Sequence, residues 1–439
     1  MASPEAISDI RALQILDSRG RPTLEVEIEL ESGLRSAAMV PSGASTGRHE
    51  AHELRDGRDE GRYDGLSVAK AARNVEAEIT PALRGRPVDD QQAIDSALIE
   101  LDGTANKSRL GANAVLGVSM AAARAAAASA DEPLWKRLAG ERPAAIPVPM
   151  INILSGGLHA GGQLEFQDFL VVPHGFDAYA ESLEAAVRIH NATERLLRDA
   201  GHVLTGVADE GGLGPRLSSN REAIEILVRG IEAAGYRPGE QVSIALDVAA
   251  SHFHRDDRYE LNSENRTLSE SEMIDLLAAW TTDYPIVSIE DGLGEDAWEG
   301  WRELTRRIGA QTKLVGDDLF CTNLERVERG IEQGAGNAVL VKMNQIGTLT
   351  ETFAVVDRAR EAGFAAVISA RSGETEDPFL ADLATATGAG QIKVGSITRS
   401  ERLAKYNRLL RIEAEGERVG GPARFEASRS YLRSLNYMM

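Results

Sequence analysis

The feature that most constrains this chain is a rhythm in its second half. From residue 148 onward, short apolar runs alternate with longer segments of helical periodicity, and nearly every run stops at a charged side chain. SIALD ends at Asp247, IVSIE at Glu290, KLVGD at Asp317 and AVLVK at Lys342; Arg371 lies just past AAVIS, and Lys393 sits within QIKV. Successive members lie 22 to 43 residues apart, about one strand-and-helix unit each. Alternating units of this kind build a parallel sheet. If the sheet closes into a barrel, its C-terminal strand ends converge on one mouth, where the chemistry sits. A charge at the end of a buried strand is costly unless it is paired or bound to a metal. Any one of these residues reads equally well as a helix cap or a structural partner. The ordered set of six on successive strands points to a site.

The first part of the chain follows another pattern. Residues 23–30 (TLEVEIEL) alternate apolar and polar side chains, as a half-buried antiparallel strand does. Glu31, Ser32 and Gly33 supply a turn, and residues 34–40 a returning strand. PSGASTG (41–47) is a loop of small residues, and helical patterns follow near 66–83, 89–101 and 111–130. A proline-bearing stretch at 131–149 separates this part from the rest. The expected organisation is an α+β domain over residues 1–138 and an α/β barrel over residues 139–439, and 439 residues suit one large barrel with a smaller domain.

A net charge of −20 argues against non-specific partners such as nucleic acid or an anionic membrane, though not against a phosphorylated substrate held by a few local cations. The single cysteine, Cys321, excludes an intramolecular disulfide and fits a reducing compartment. The N-terminus has no basic segment followed by an apolar one, and the longest stretch of low polarity, 120–130, falls well short of the roughly 20 residues a spanning helix needs. The expectation is a cytoplasmic protein.

Asp247, Glu290 and Asp317 offer three hard oxygen ligands without His or Cys, a set suited to Mg2+. Lys342, on the next strand, is placed to act as a base; beside a divalent cation and other basic groups its pKa is expected to fall. A metal with a lysine base is an arrangement for removing a proton α to a carboxylate. Arg371 and Lys393 can hold an anionic substituent. Glu210, in ADEGGLG (208–214), is the candidate acid for a leaving hydroxyl. His159, in SGGLHAGG (155–162), reads as a loop hydrogen-bonder or as a member of the site. The segment 399–414 reads as an amphipathic closing helix with no role in the chemistry.

With these residues in place, the chain resembles the enolase family over nearly its whole length. The matching segments are DSRGRPTLEVE (17–27), PSGASTG (41–47), ALDVAAS (245–251), SIED (288–291), VGDDLF (315–320), VLVKMNQIGTLTET (339–352), RSGETED (371–377) and RSERLAKYN (399–407). The resemblance implies an N-terminal α+β domain capping a (β/α)8-type barrel whose first units are irregular, and a homodimer or larger assembly. It implies a small phosphorylated or phosphonylated carboxylate as substrate. It maps the metal ligands onto Asp247, Glu290 and Asp317, the base onto Lys342 and the proton donor onto Glu210. Substrate contacts map onto Arg371, Ser372 and Lys393, with His159 and Gln167 nearby, and Ser42 matches the residue that closes over a second Mg2+.

The departures from the family pattern are equally specific. An active-site His is replaced by Ala370, a Glu by Asp168, an Asn by Ser155, a Pro by Gly292 and another Glu by His252. The metal and base positions keep their residue types, and the changes gather around the substrate and acid side. Three readings stay open: dehydration of 2-phosphoglycerate to phosphoenolpyruvate; the same elimination on a modified phosphoglycerate, as in a carboxyphosphonoenolpyruvate synthase of phosphonate biosynthesis; and a non-catalytic binding protein on this fold.

Overall fold

The computed structural model describes residues 5–43, 47–58, 61–419 and 425. Near the N-terminus β1 (Ile7–Leu16), β2 (Pro22–Leu30) and β3 (Arg35–Met39) form an antiparallel sheet in that order. The alternation in β2 has its expected effect: Leu24, Val26, Ile28 and Leu30 are buried. β1 was not foreseen, because a register irregularity between Ile7 and Asp9 breaks its alternation. Against the sheet lies the helix Ala112–Ser129, which sits close because its residues are small. A Cβ added at Gly117 would come within 2.5 Å of Val26.

The second part is a closed barrel. Its strands are β4 (Val148–Ser155), β5 (Asp168–Pro173), β6 (Val242–Asp247), β10 (Ile286–Glu290), β11 (Lys313–Gly316), β12 (Ala338–Val341), β13 (Ala365–Ser369) and β14 (Gly390–Gly395), with β14 returning to β4. A small sheet of β7 (His254–Arg255), β8 (Arg258–Leu261) and β9 (Arg266–Leu268) leaves the barrel between β6 and β10. The six runs read from the sequence are β6 and β10 to β14. The first units are irregular, as the resemblance implies: β5 runs antiparallel to both β4 and β6. Between Ser155 and Asp168 the chain makes only one helical turn, Gly157–Ala160, where a parallel crossover would need a longer connection, usually a full helix. Because β5 is reversed, its first residue rather than its last reaches the mouth. Asp168 therefore pairs in register with both Ser155 and Asp247.

The opposite end of the barrel holds a buried lysine. Lys313 begins β11, donates to Gln391 at 2.7 Å, and is pushed down to about 7 by burial. Its folded pKa lies below the unfolded value, so the penalty for burying it is complete below pH 7 and fades as the pH rises toward 10.5. Wild type should therefore gain about 2 kcal/mol on a Lys313→Met variant between pH 7 and pH 9. Urea unfolding at the two pH values measures this, and parallel pH profiles would refute it. Among the described residues, no helix is long and apolar enough to cross a membrane.

Candidate active site

The strand ends converge as the barrel requires. One small cavity, about 50 Å3, is lined by His159, Gln167, Glu210, Asp247, Asp317, Lys342, Ala370, Arg371, Ser372 and Lys393. It is small because the lysines reach across it to carboxylates. Lys393 Nζ donates to Asp247 at 2.6 Å and to Glu290 at 2.7 Å, and Lys342 Nζ pairs with Asp317. Three of the residues singled out in the sequence do not line it. Glu290 lies behind Lys393. Asp168 is fully buried. Ser42 turns its hydroxyl to Glu53 at 3.0 Å, and residues 44–46 of its loop lie outside the described residues.

The carboxylates are arranged differently from the simple trio. Acidic oxygens of Asp291, Asp317 and Asp318 come within 4.8 Å of one another, whereas Asp247, Glu290 and Asp317 do not form so tight a set among the described residues. Lys393 bridges Asp247 and Glu290, while Lys342 takes Asp317. Burial and the neighbouring Asp247 push Glu290 up to about 8, and burial beside Asp317 pushes Asp318 up to about 7. The mouth thus holds more buried carboxyl groups than its cations can keep ionised. Asp291 also accepts the backbone N–H groups of Asp317 and Asp318, at 2.9 and 2.8 Å, which fixes the loop after β11. Ala249, Asp291, Cys321 and Thr322, all in loops at this mouth, hold positive φ between 43° and 51°. Backbone strain of this kind gathers where side chains must be aimed at a site.

The fall in the Lys342 pKa is expected beside a bound cation. With Asp317 as its partner the group instead lies above the usual lysine range, because burial lowers it but Asp317 and Glu290 together raise it. Arg371 also departs from the simple picture. Its guanidinium donates to Glu50 at 3.2 Å and to Asn344 at 2.7 Å, so it is held by protein groups beside the cavity it lines.

On the acid side, His159 Nδ1 meets Asp168 at 2.8 Å, and its Nε2 lies 4.0 Å from Glu210. Burial would lower the imidazole, but the two carboxylates push it up to about 9. Burial would raise the Glu210 carboxyl, yet His159, Arg402 and Lys393 hold it below the usual range. In this arrangement His159 holds a proton directly beside Glu210, the proton donor that the resemblance implies. Asp168 also accepts from Ser155 Oγ at 2.7 Å and from Asn152. Two of the departures, Ser155 and Asp168, are thus in direct contact.

Some supporting residues were missed. Gln345 donates to Asp317 at 2.9 Å, and with Asn344 it lies inside a segment already quoted, so a signal existed. Glu50 and Asn152 carried none, since they are distant in sequence from what they touch. The closing helix, Ser400–Val419, is more than packing. Arg402, fully buried, donates to the carbonyls of Arg371, Ser372 and Val394, at 2.7 to 2.9 Å. The turn DSRGRP also reaches the site, where Arg19 donates to Ser372 Oγ at 3.1 Å.

Comparison with known families returns two matches. The family model described as enolase, N-terminal domain, covers residues 7–138, and that described as enolase, C-terminal TIM barrel domain, covers residues 143–431.

Proposed function

The chain belongs to the enolase family, and we propose that it is a Mg2+-dependent carbon–oxygen lyase that takes the C2 proton of 2-phosphoglycerate or a close analogue and eliminates water. One observation carries this reading: Lys342, Lys393 and His159 face Asp317, Asp247 and Glu210 within a single cavity at the barrel mouth. That supplies a base and an acid within one enclosure.

The donor set suits Mg2+. It is all oxygen, and a divalent cation would let carboxyl groups that burial and repulsion keep protonated ionise. Asp247, Glu290 and Asp317 would hold the ion, with Gln167 orienting Asp247 through a 3.1 Å hydrogen bond. When bound, Mg2+ supplies positive charge beside the substrate carboxylate. Asp317 favours the protonated form of Lys342. With Asp317 holding a cation that support would weaken, and Lys342 Nζ would be the group to take up the C2 proton. His159, steadied by Asp168 at Nδ1, holds a proton next to Glu210 for the departing hydroxyl. Arg371, Ser372 and Lys393 offer donors to the substrate's anionic groups. A second Mg2+ near Ser42, a homodimer or larger assembly, and a cytoplasmic location belong to the same reading.

A second reading keeps this elimination but uses a modified phosphorus-bearing substrate. It is favoured by Ala370, which leaves the cavity wall without an imidazole. A missing hydrogen-bond contact is worth about 1–3 kcal/mol, roughly one to two orders of magnitude in rate. Ala370→His should therefore raise kcat/KM for 2-phosphoglycerate by about tenfold or more. Incubation with Mg2+ and 2-phosphoglycerate in deuterated water, following C2 exchange and phosphoenolpyruvate formation, tests both readings. Exchange in the wild type, with faster dehydration by Ala370→His, supports a lyase with shifted specificity. Absence of exchange in both proteins would reject 2-phosphoglycerate chemistry.

A further inference from the structure

An imidazole absent from one wall of the mouth is present on the other. The barrel order runs β6, β10, β11, β12, β13 in one direction and β13, β14, β4, β5, β6 in the other. β13 is therefore four strands from β6 whichever way one counts, and the loops that follow these two strands face each other across the mouth. Ala370 directly follows β13, and His252 follows β6 by one short turn, Ala250–His252. Both residues line the same cavity.

His252 is half-buried, and none of its ring nitrogens has a hydrogen-bond partner among the described residues. Its turn is set by Ala249, held at φ 49°, a strained conformation for a residue with a side chain. A half-buried imidazole without a partner, aimed into a polar cavity by a strained backbone, is a ligand contact in waiting.

We infer that His252 is a specificity-determining substrate contact, donating a hydrogen bond to an anionic oxygen of the substrate from the β6 side of the mouth, across from Ala370. This deepens the lyase reading and rests on it. It also gives the departures a common sense. The imidazole at 370 is gone, and a carboxylate-bearing position on the opposite wall has become a neutral or cationic donor. The mouth therefore favours a substrate whose anionic group lies toward β6.

The test uses the full-length protein with Mg2+ and 2-phosphoglycerate, measuring C2 exchange rates across substrate concentration for wild type, His252→Ala and His252→Gln. His252→Ala should raise KM roughly tenfold, the loss of one such contact, with the maximal exchange rate changed less than about twofold. His252→Gln, which keeps a donor, should recover most of the KM. Mg2+ affinity should be the same in all three. An unchanged KM in His252→Ala overturns the proposal while leaving the lyase reading standing. So does equal loss of KM and rate in both variants with weakened Mg2+ binding, which would mark a structural role. No exchange in wild type itself removes the lyase reading, and this inference with it.

Discussion

Replacing Lys342 by alanine is expected to lower exchange of the C2 hydrogen of 2-phosphoglycerate by about 10²–10⁴, the usual contribution of a positioned base. The fold should survive. Lys342 follows β12, and its side chain is 14% exposed. Its backbone N–H is held by Thr322 Oγ1 at 2.9 Å whatever the side chain. Removing the ammonium leaves Asp317 with Gln345 as its hydrogen-bond donor, so Mg2+ binding should persist or strengthen. That combination separates loss of a base from loss of a site. The experiment compares C2 deuterium incorporation and Mg2+ titration in wild type and variant, alongside circular dichroism. Exchange at the wild-type rate would mean that some other group takes the proton. His159 and His252, the two imidazoles lining the cavity, would be the first candidates.

The second large effect concerns the ion. Asp317→Asn should weaken Mg2+ binding by roughly 10²–10³. Breaking a buried ionic contact costs about 3–5 kcal/mol, at about 1.4 kcal/mol per tenfold. Asp247→Asn and Glu290→Gln should weaken it comparably, and Asp318→Asn much less. Calorimetric titration of Mg2+ into each variant decides the matter. The geometry makes the comparison informative, because Asp317 also belongs to the tighter set with Asp291 and Asp318. If Asp318→Asn and Asp291→Asn abolish binding while Asp247→Asn and Glu290→Gln leave it intact, the ion sits among the three aspartates and the proposed ligand set is wrong.

Much of the barrel could be read from the chain because its signals are local. A run of apolar residues followed by helical periodicity specifies a strand and a crossover within one stretch of sequence. A charge at the end of each run marks the mouth, since parallel strands present the same end there. β2 and β3 were legible for the same reason, with alternation and a turn inside 20 residues. β4 and β5 were not. They are buried throughout, joined by a loop instead of a helix, and nothing within them records that β5 is reversed. That reversal places Asp168 beside Ser155 and Asp247, so the contact between two of the departures was invisible along the chain.

Residue types at the strand ends were settled by sequence alone: three carboxylates, then lysine, arginine and lysine, in strand order, with a family resemblance that two domain matches bear out. The partners of those residues were settled only by the folded chain. Lys342 is paired with Asp317, and Arg371 with Glu50 from the N-terminal part of the chain. His159 lies between Asp168 and Glu210, whose charges favour its proton. Each outcome depends on distances between groups tens to hundreds of residues apart, in a medium where water screens little. Residue identity specifies which charges exist, and only close approach in three dimensions determines which of them neutralise one another.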